Sequence, residues 1–231
     1  MKLEELIPRL PQAPVISIAG AGGKTTLMFR LAEMLPAPCV VTTTAKVGED
    51  QIRFADCCSV LSEFSPENPL KRMWVSPSLV PVNGKICGCT LAEFSKLAAY
   101  CRLRNFGLLN EADGAARRHI KAPAEHEPVI PSETNACFYV IGLDVLGKRI
   151  DSETVHRPEI FAEITGTSEN DLIDEKCLAG LLEHPLGGLK NMPEKALKIV
   201  YMTHADTSAR QHAAQVIAGN LKSYDYICVN R

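Results

Sequence analysis

The residues best suited to chemistry lie near the start of the chain, in Gly20-Ala21-Gly22-Gly23-Lys24-Thr25-Thr26, directly after the apolar run Val15–Ala19. Glycines let backbone N–H groups turn inward around an anion without Cβ clashes, and a following helix aims the positive end of its dipole at the same place. In that context Lys24 reaches the β and γ phosphates of a nucleoside triphosphate, ATP or GTP, and Thr25 offers its hydroxyl to Mg²⁺. Gly20, Ala21, Gly22, Gly23, Lys24, Thr25 and Thr26 form the candidate nucleotide-binding set. Where the longer phosphate-loop pattern has its first glycine, this chain has Ile18, so the match is to GxxGK[ST] read from Gly20 to Thr25. Amide ligases of the Mur type carry a similarly shortened loop. A dinucleotide-binding loop is the rival reading, but Thr25 falls where its third glycine or alanine belongs, and Thr42-Thr43-Thr44 offers no acid for a ribose. A plain glycine-rich turn is the other alternative.

A second group of chemical residues follows the apolar run Phe106–Asn110, in Glu111-Ala112-Asp113-Gly114-Ala115. P-loop proteins use such a strand end to supply a carboxylate to Mg²⁺, because hard cations need oxygen ligands. The expected division places Asp113 with Thr25 on the metal and Glu111 beside the attacking water, with either acid able to fill the metal role. Capping of a turn before Gly114 is the alternative. Arg117, Arg118 and Lys121 come next, and of these Arg117 and Lys121 are favoured by proximity to Asp113 to stabilise a transferring phosphoryl group or bind an anionic substrate. A solvated loop is the competing reading.

Weaker candidates lie further along. Thr42, Thr43, Thr44 and Lys46 sit at the end of the second strand, where α/β sheets bind ligands. Asp206, in Thr203-His204-Ala205-Asp206, occupies the place where GTPases read guanine through Asn-Lys-x-Asp, although a helix N-cap also accounts for it. Cys87-Gly88-Cys89 and Cys57-Cys58 lack a second pair at zinc-finger spacing. A reactive thiol at Cys87 or Cys89 is a further option.

Positioning these groups requires a particular architecture. Short apolar runs at Val15–Ala19, Cys39–Thr43, Phe106–Asn110, Ala136–Ile141, Lys198–Met202 and Tyr226–Val229 alternate with helical patterns at Lys24–Leu35, Thr90–Leu103, Leu172–His184 and Thr207–Leu221. This rhythm predicts an α/β fold, a P-loop NTPase-like three-layer sandwich with a mostly parallel sheet. Residues 1–231 read as a single domain. An irregular excursion, about 46–90, holds one short strand at Arg72–Val75, and a proline-rich loop, about 114–134, is expected at the sheet edge. His156-Arg157-Pro158-Glu159 reads as a helix entry.

With 25 Lys and Arg against 27 Asp and Glu, the net charge of −2 argues against nucleic acid as the main partner. The acidic, proline-containing N-terminus and the lack of a long apolar run argue against export and membrane spanning. Nine cysteines without an export signal read as reduced, which points to a cytoplasmic protein.

Taken in order, Gly20-Ala21-Gly22-Gly23-Lys24-Thr25-Thr26, Thr42-Thr43-Thr44, Glu111-Ala112-Asp113-Gly114-Ala115, the stretch from Lys121 to Pro131, Gly142-Leu143-Asp144-Val145-Leu146-Gly147 and Val155-His156-Arg157-Pro158 resemble the YqeC-type accessory proteins of selenium-dependent hydroxylases. The resemblance implies a P-loop protein serving the maturation of molybdenum hydroxylases that carry labile selenium. Its partners would be a selenium- or molybdenum-cofactor species and a hydroxylase apoprotein. Two other functions fit the same loop: a small-molecule kinase or ATP-dependent ligase, and a nucleotide-loaded binding module that does not hydrolyse.

Overall fold

The computed structural model describes residues 1–230. In chain order these form α1 (Leu3–Leu6), β1 (Val15–Gly20), α2 (Lys24–Met34), β2 (Cys39–Thr43), β3 (Val47–Gly48), β4 (Cys57–Val60), β5 (Arg72–Ser76), β6 (Lys85–Ile86) and α3 (Leu91–Arg104). There follow β7 (Gly107–Glu111), β8 (Ile120–Lys121), β9 (Ala136–Gly142), β10 (Val155–His156), α4 (Pro158–Thr165), α5 (Glu175–Glu183), β11 (Leu197–Thr203), α6 (Ser208–Asn220) and β12 (Tyr226–Val229). Eight strands make one sheet in the order β12-β11-β9-β1-β7-β2-β5-β4, and every pairing in it is parallel. The fold is α/β, a parallel sheet between helical layers, as in a P-loop NTPase-like sandwich. No helix among the described residues is long and apolar enough to cross a membrane.

The unbroken apolar strands reflect burial on both faces. Side chains alternate along a strand, so neighbouring residues enter different cores. Ile16, Ile18, Phe138 and Val140 pack with Leu27, Met28 and Leu31 of α2. On the opposite face Ala19, Tyr139 and Ile141 pack with Phe161, Leu178 and Ile217 of α4, α5 and α6. Val15, Val40 and Leu108 meet Phe94 and Leu97 of α3 on that same side.

Local signals set several boundaries. Thr90 and Glu93 form the expected capping box at α3, Glu93 Oε2 accepting from the Thr90 N–H at 2.8 Å. The predicted helix over Leu172–His184 begins only at Glu175, because Asp174 caps it by accepting from Cys177 N–H at 2.7 Å. The excursion contributes two strands to the sheet rather than one: the half-buried edge strand β4 has no apolar run to announce it. Within the same excursion β3 and β6 pair antiparallel.

The loop expected at the sheet edge is placed differently. Its β8 pairs in parallel with β10, and Ile120, Lys121 and Ala122 are fully buried. Tyr139 of the inner strand β9 donates to Lys121 O at 3.2 Å, and Val129 N–H donates to Ala112 O, just past the end of β7, at 2.9 Å. The segment therefore covers the carboxyl ends of the central strands, because its buried side chains find their partners there.

Candidate active site at the carboxyl end of the sheet

The glycine-rich loop joins the end of β1 to the start of α2, and three of its glycines adopt positive φ: Gly20 at 91°, Gly22 at 85° and Gly23 at 119°. At Gly22 a Cβ would stand 2.7 Å from Gly142 N and 2.8 Å from His119 O, so only glycine fits this close approach. Ala21 N–H donates to Val140 O at 2.8 Å, and Thr203 Oγ1 donates to Gly22 O at 2.6 Å. The loop is thereby fastened to β9 and β11.

Lys24, the first residue of α2, is buried to 5% exposure beneath the loop. Its Nζ donates to Gly20 O at 2.8 Å and lies 3.2 Å from Asp113 Oδ1 and 3.7 Å from Glu111 Oε1. Burial opposes its charge, but the carboxylates of Asp113 and Glu111 outweigh that and raise its pKa.

β7 lies beside β1, with Glu111 in register with Ile18, so the sheet itself brings the acids under the loop. Thr25 Oγ1 donates to Glu111 Oε2 at 3.0 Å. Burial pushes the Glu111 carboxyl above its usual range, against the pull of Lys24 and Thr25. Asp113 faces other partners: Gly20 N–H at 3.2 Å, Lys24, and Lys121 Nζ at 3.0 Å. The geometry thus pairs Thr25 with Glu111 rather than with Asp113: β7 ends at Glu111, and Asp113, two residues beyond that end, meets Lys24 and Lys121 instead of the Thr25 hydroxyl. Asp113 Oδ1 is buried without an aligned hydrogen-bond donor.

From Asp113 a chain of charge continues outward, from buried Lys121 to half-buried Glu127 and Arg157. Lys121, with no exposed side-chain surface, also contacts Glu127 Oε2 at 2.6 Å, and Arg157 Nη1 reaches the same oxygen at 2.8 Å. Burial opposes the Glu127 charge, yet Lys121 and Arg157 hold its pKa down at about 2. Sequence reasoning gave Glu127 and Arg157 no role. The available signal was a set of charges in a proline-broken stretch without the periodicity of a solvated helix.

The other predicted residues take different partners or lie away from this centre. Lys121 is committed to ion pairs and is not a free substrate ligand. Arg117, at 89% side-chain exposure, turns away from Asp113 and lies 3.7 Å from Asp50 on the cleft rim. The threonine hydroxyls bond to backbone carbonyls: Thr42 to Val75, Thr43 to Glu111 and Thr44 to Val129. Asp206 is exposed and paired with Arg210 at 2.6 Å, and the N-cap of α6 is Thr207. All nine cysteines are free; Cys87 is exposed, whereas burial raises the Cys89 thiol. Thr26 lines the cleft with Gly22–Thr25, Glu111 and Arg117. That cleft, of about 700 Å³, extends from the loop to Lys46, Lys85, Arg117 and Arg118.

The family model described as "YqeC protein" matches residues 16–159, a span that includes the glycine-rich loop, both acids and the charge chain to Arg157. A protein of Escherichia coli (strain K12), described as "Uncharacterized protein YqeC", is 31% identical over 218 residues, covering 91% of this chain and 84% of that one.

Proposed function

The chain belongs to the YqeC family, and from that premise we propose that it is a Mg²⁺-dependent P-loop NTPase acting in the maturation of selenium-dependent molybdenum hydroxylases. The observation that carries the reading is Lys24, buried at the start of α2 between three glycines of positive φ and the carboxylates of Glu111 and Asp113. A buried ammonium beneath a loop of positive-φ glycines at a helix start is an arrangement suited to a polyanion.

In this reading the amides of Gly22, Gly23 and Lys24 and the Lys24 ammonium bind the phosphates of ATP or GTP. Thr25 and Glu111 are oxygen donors of the class Mg²⁺ prefers, and Mg²⁺ supplies charge neutralisation at the phosphates. Asp113 keeps Lys24 and Lys121 in place and ties the start of the loop through Gly20 N–H. The medium-sized cleft and its rim of Lys46, Lys85, Arg117 and Arg118 suit an anionic second component, such as a cofactor species or an acidic face of the apoprotein client. The same rim favours a second reading, phosphoryl transfer to a small acid.

Titration of Mg·ATP and Mg·GTP into the wild-type chain and Lys24→Ala tests the proposal. Wild type binds one of them and Lys24→Ala does not; equal affinity overturns the assignment. Thr25→Ala, a change in the first turn of α2 that removes no ion pair, loses only the Mg²⁺-dependent part. Phosphate release with and without small carboxylic acids separates hydrolysis from transfer.

A further inference from the structure

Three loops at the carboxyl end of the sheet bring His119, Asp144 and His204 together, with the backbone of His119 against Gly22. His119 precedes β8, Asp144 follows β9 and His204 follows β11. One ring nitrogen of each histidine and one oxygen of Asp144 lie within 4.8 Å of one another. His119 Nδ1 is 2.8 Å from Asp144 Oδ1, and the two imidazoles stack with centroids 4.8 Å apart and planes at 9°.

The backbone around this cluster is specialised. Gly142 N–H donates to His119 O at 2.9 Å, and a Cβ at Gly142 would come within 2.9 Å of both Asp144 Oδ1 and His119 Cβ. His204 holds φ 58°, a left-handed conformation that few non-glycine residues adopt. Lys148 binds the other oxygen, Oδ2, at 3.1 Å.

We propose that His119, Asp144 and His204 form a binding site for a borderline divalent transition metal such as Zn²⁺, Co²⁺ or Ni²⁺. Two imidazoles and one carboxylate are the donor set such ions prefer, whereas Mg²⁺ favours all-oxygen surroundings. Three protein ligands leave coordination positions for water or a small ligand. This site is separate from the Thr25–Glu111 pair and does not depend on nucleotide binding.

Co²⁺ titration into the chelator-treated, nucleotide-free protein, followed by visible ligand-field absorption, tests the site. One Co²⁺ binds per chain, is displaced by Zn²⁺ and is not displaced by Mg²⁺. His204→Asn keeps a residue that tolerates left-handed backbone and weakens Co²⁺ roughly tenfold or more, as does Asp144→Asn; His212→Ala, on the exposed side of α6, leaves it unchanged. Absence of the band at one equivalent overturns the proposal. So does unchanged affinity in His204→Asn, the result thiolate binding would give, or displacement by Mg²⁺, which would place the ion at the phosphate loop.

Discussion

The hydroxyl of Thr25 donates to Glu111 Oε2 at 3.0 Å, joining the first turn of α2 to the end of β7. Two residues on, Asp113 faces Lys24 and Lys121 instead. The two acids of one strand end therefore have different work, and substitution separates them.

Glu111→Gln weakens Mg²⁺-dependent nucleotide binding about tenfold or more while leaving stability nearly intact, because a neutral amide still accepts from Thr25 but is a poor Mg²⁺ ligand. Asp113→Asn removes the one carboxylate that two buried lysines share, leaving Lys24 with Glu111 and Lys121 with Glu127, and lowers stability by about 3 kcal/mol. Urea unfolding and nucleotide titration on both variants read the two effects; equal stability losses would refute this division.

Two of the cations after Asp113, Lys121 and Arg117, also part company. Lys121→Met costs about 3–5 kcal/mol, since Asp113 and Glu127 lose a buried partner. Arg117→Ala stays within about 0.5 kcal/mol of wild type, as expected for an exposed side chain. Denaturant midpoints measured side by side decide the matter.

Glycine substitutions grade the loop. Gly22→Ala meets backbone atoms of Gly142 and His119 as well as unfavourable φ, and costs more than the about 1–3 kcal/mol of backbone strain alone. Gly23→Ala meets nothing closer than 3.5 Å, at Thr203 Cγ2, so strain is its whole cost. Thermal unfolding should rank wild type above Gly23→Ala and Gly23→Ala above Gly22→Ala; the reverse order of the two variants would contradict the packing at Gly22.

Acid weakens the fold through Glu127. Its pKa falls from 4.5 to about 2 on folding, so its contribution is complete above pH 4.5 and disappears as pH falls toward 2. The shift corresponds to roughly 3 kcal/mol at most. The stability difference between wild type and Glu127→Gln therefore shrinks across that window, and a difference independent of pH there would show that Glu127 carries no such linkage.

Much of the fold was legible because its determinants are local. The apolar runs gave β1, β2, β7, β9, β11 and β12 within a residue at each end, since strands buried on both faces leave no polar alternation to blur them. Thr90 and Glu93 announced α3 by direct bonding across one turn. The edge strand β4 was not legible, because half-buried residues at a sheet margin carry little hydrophobic pattern.

By itself the sequence determined the α/β class, the glycine-lysine-threonine loop at the end of the first strand, and two acids at the end of another. These depend on composition and spacing within a dozen residues. Tertiary structure alone decided that Glu111 meets Thr25 while Asp113 meets Lys24 and Lys121, and that buried Lys121 joins half-buried Glu127 and Arg157 in one charged chain. It alone decided that Arg117 faces outward and that His119, Asp144 and His204 converge. Strand order and side-chain facing set those pairings, and both arise from contacts between residues far apart in the chain.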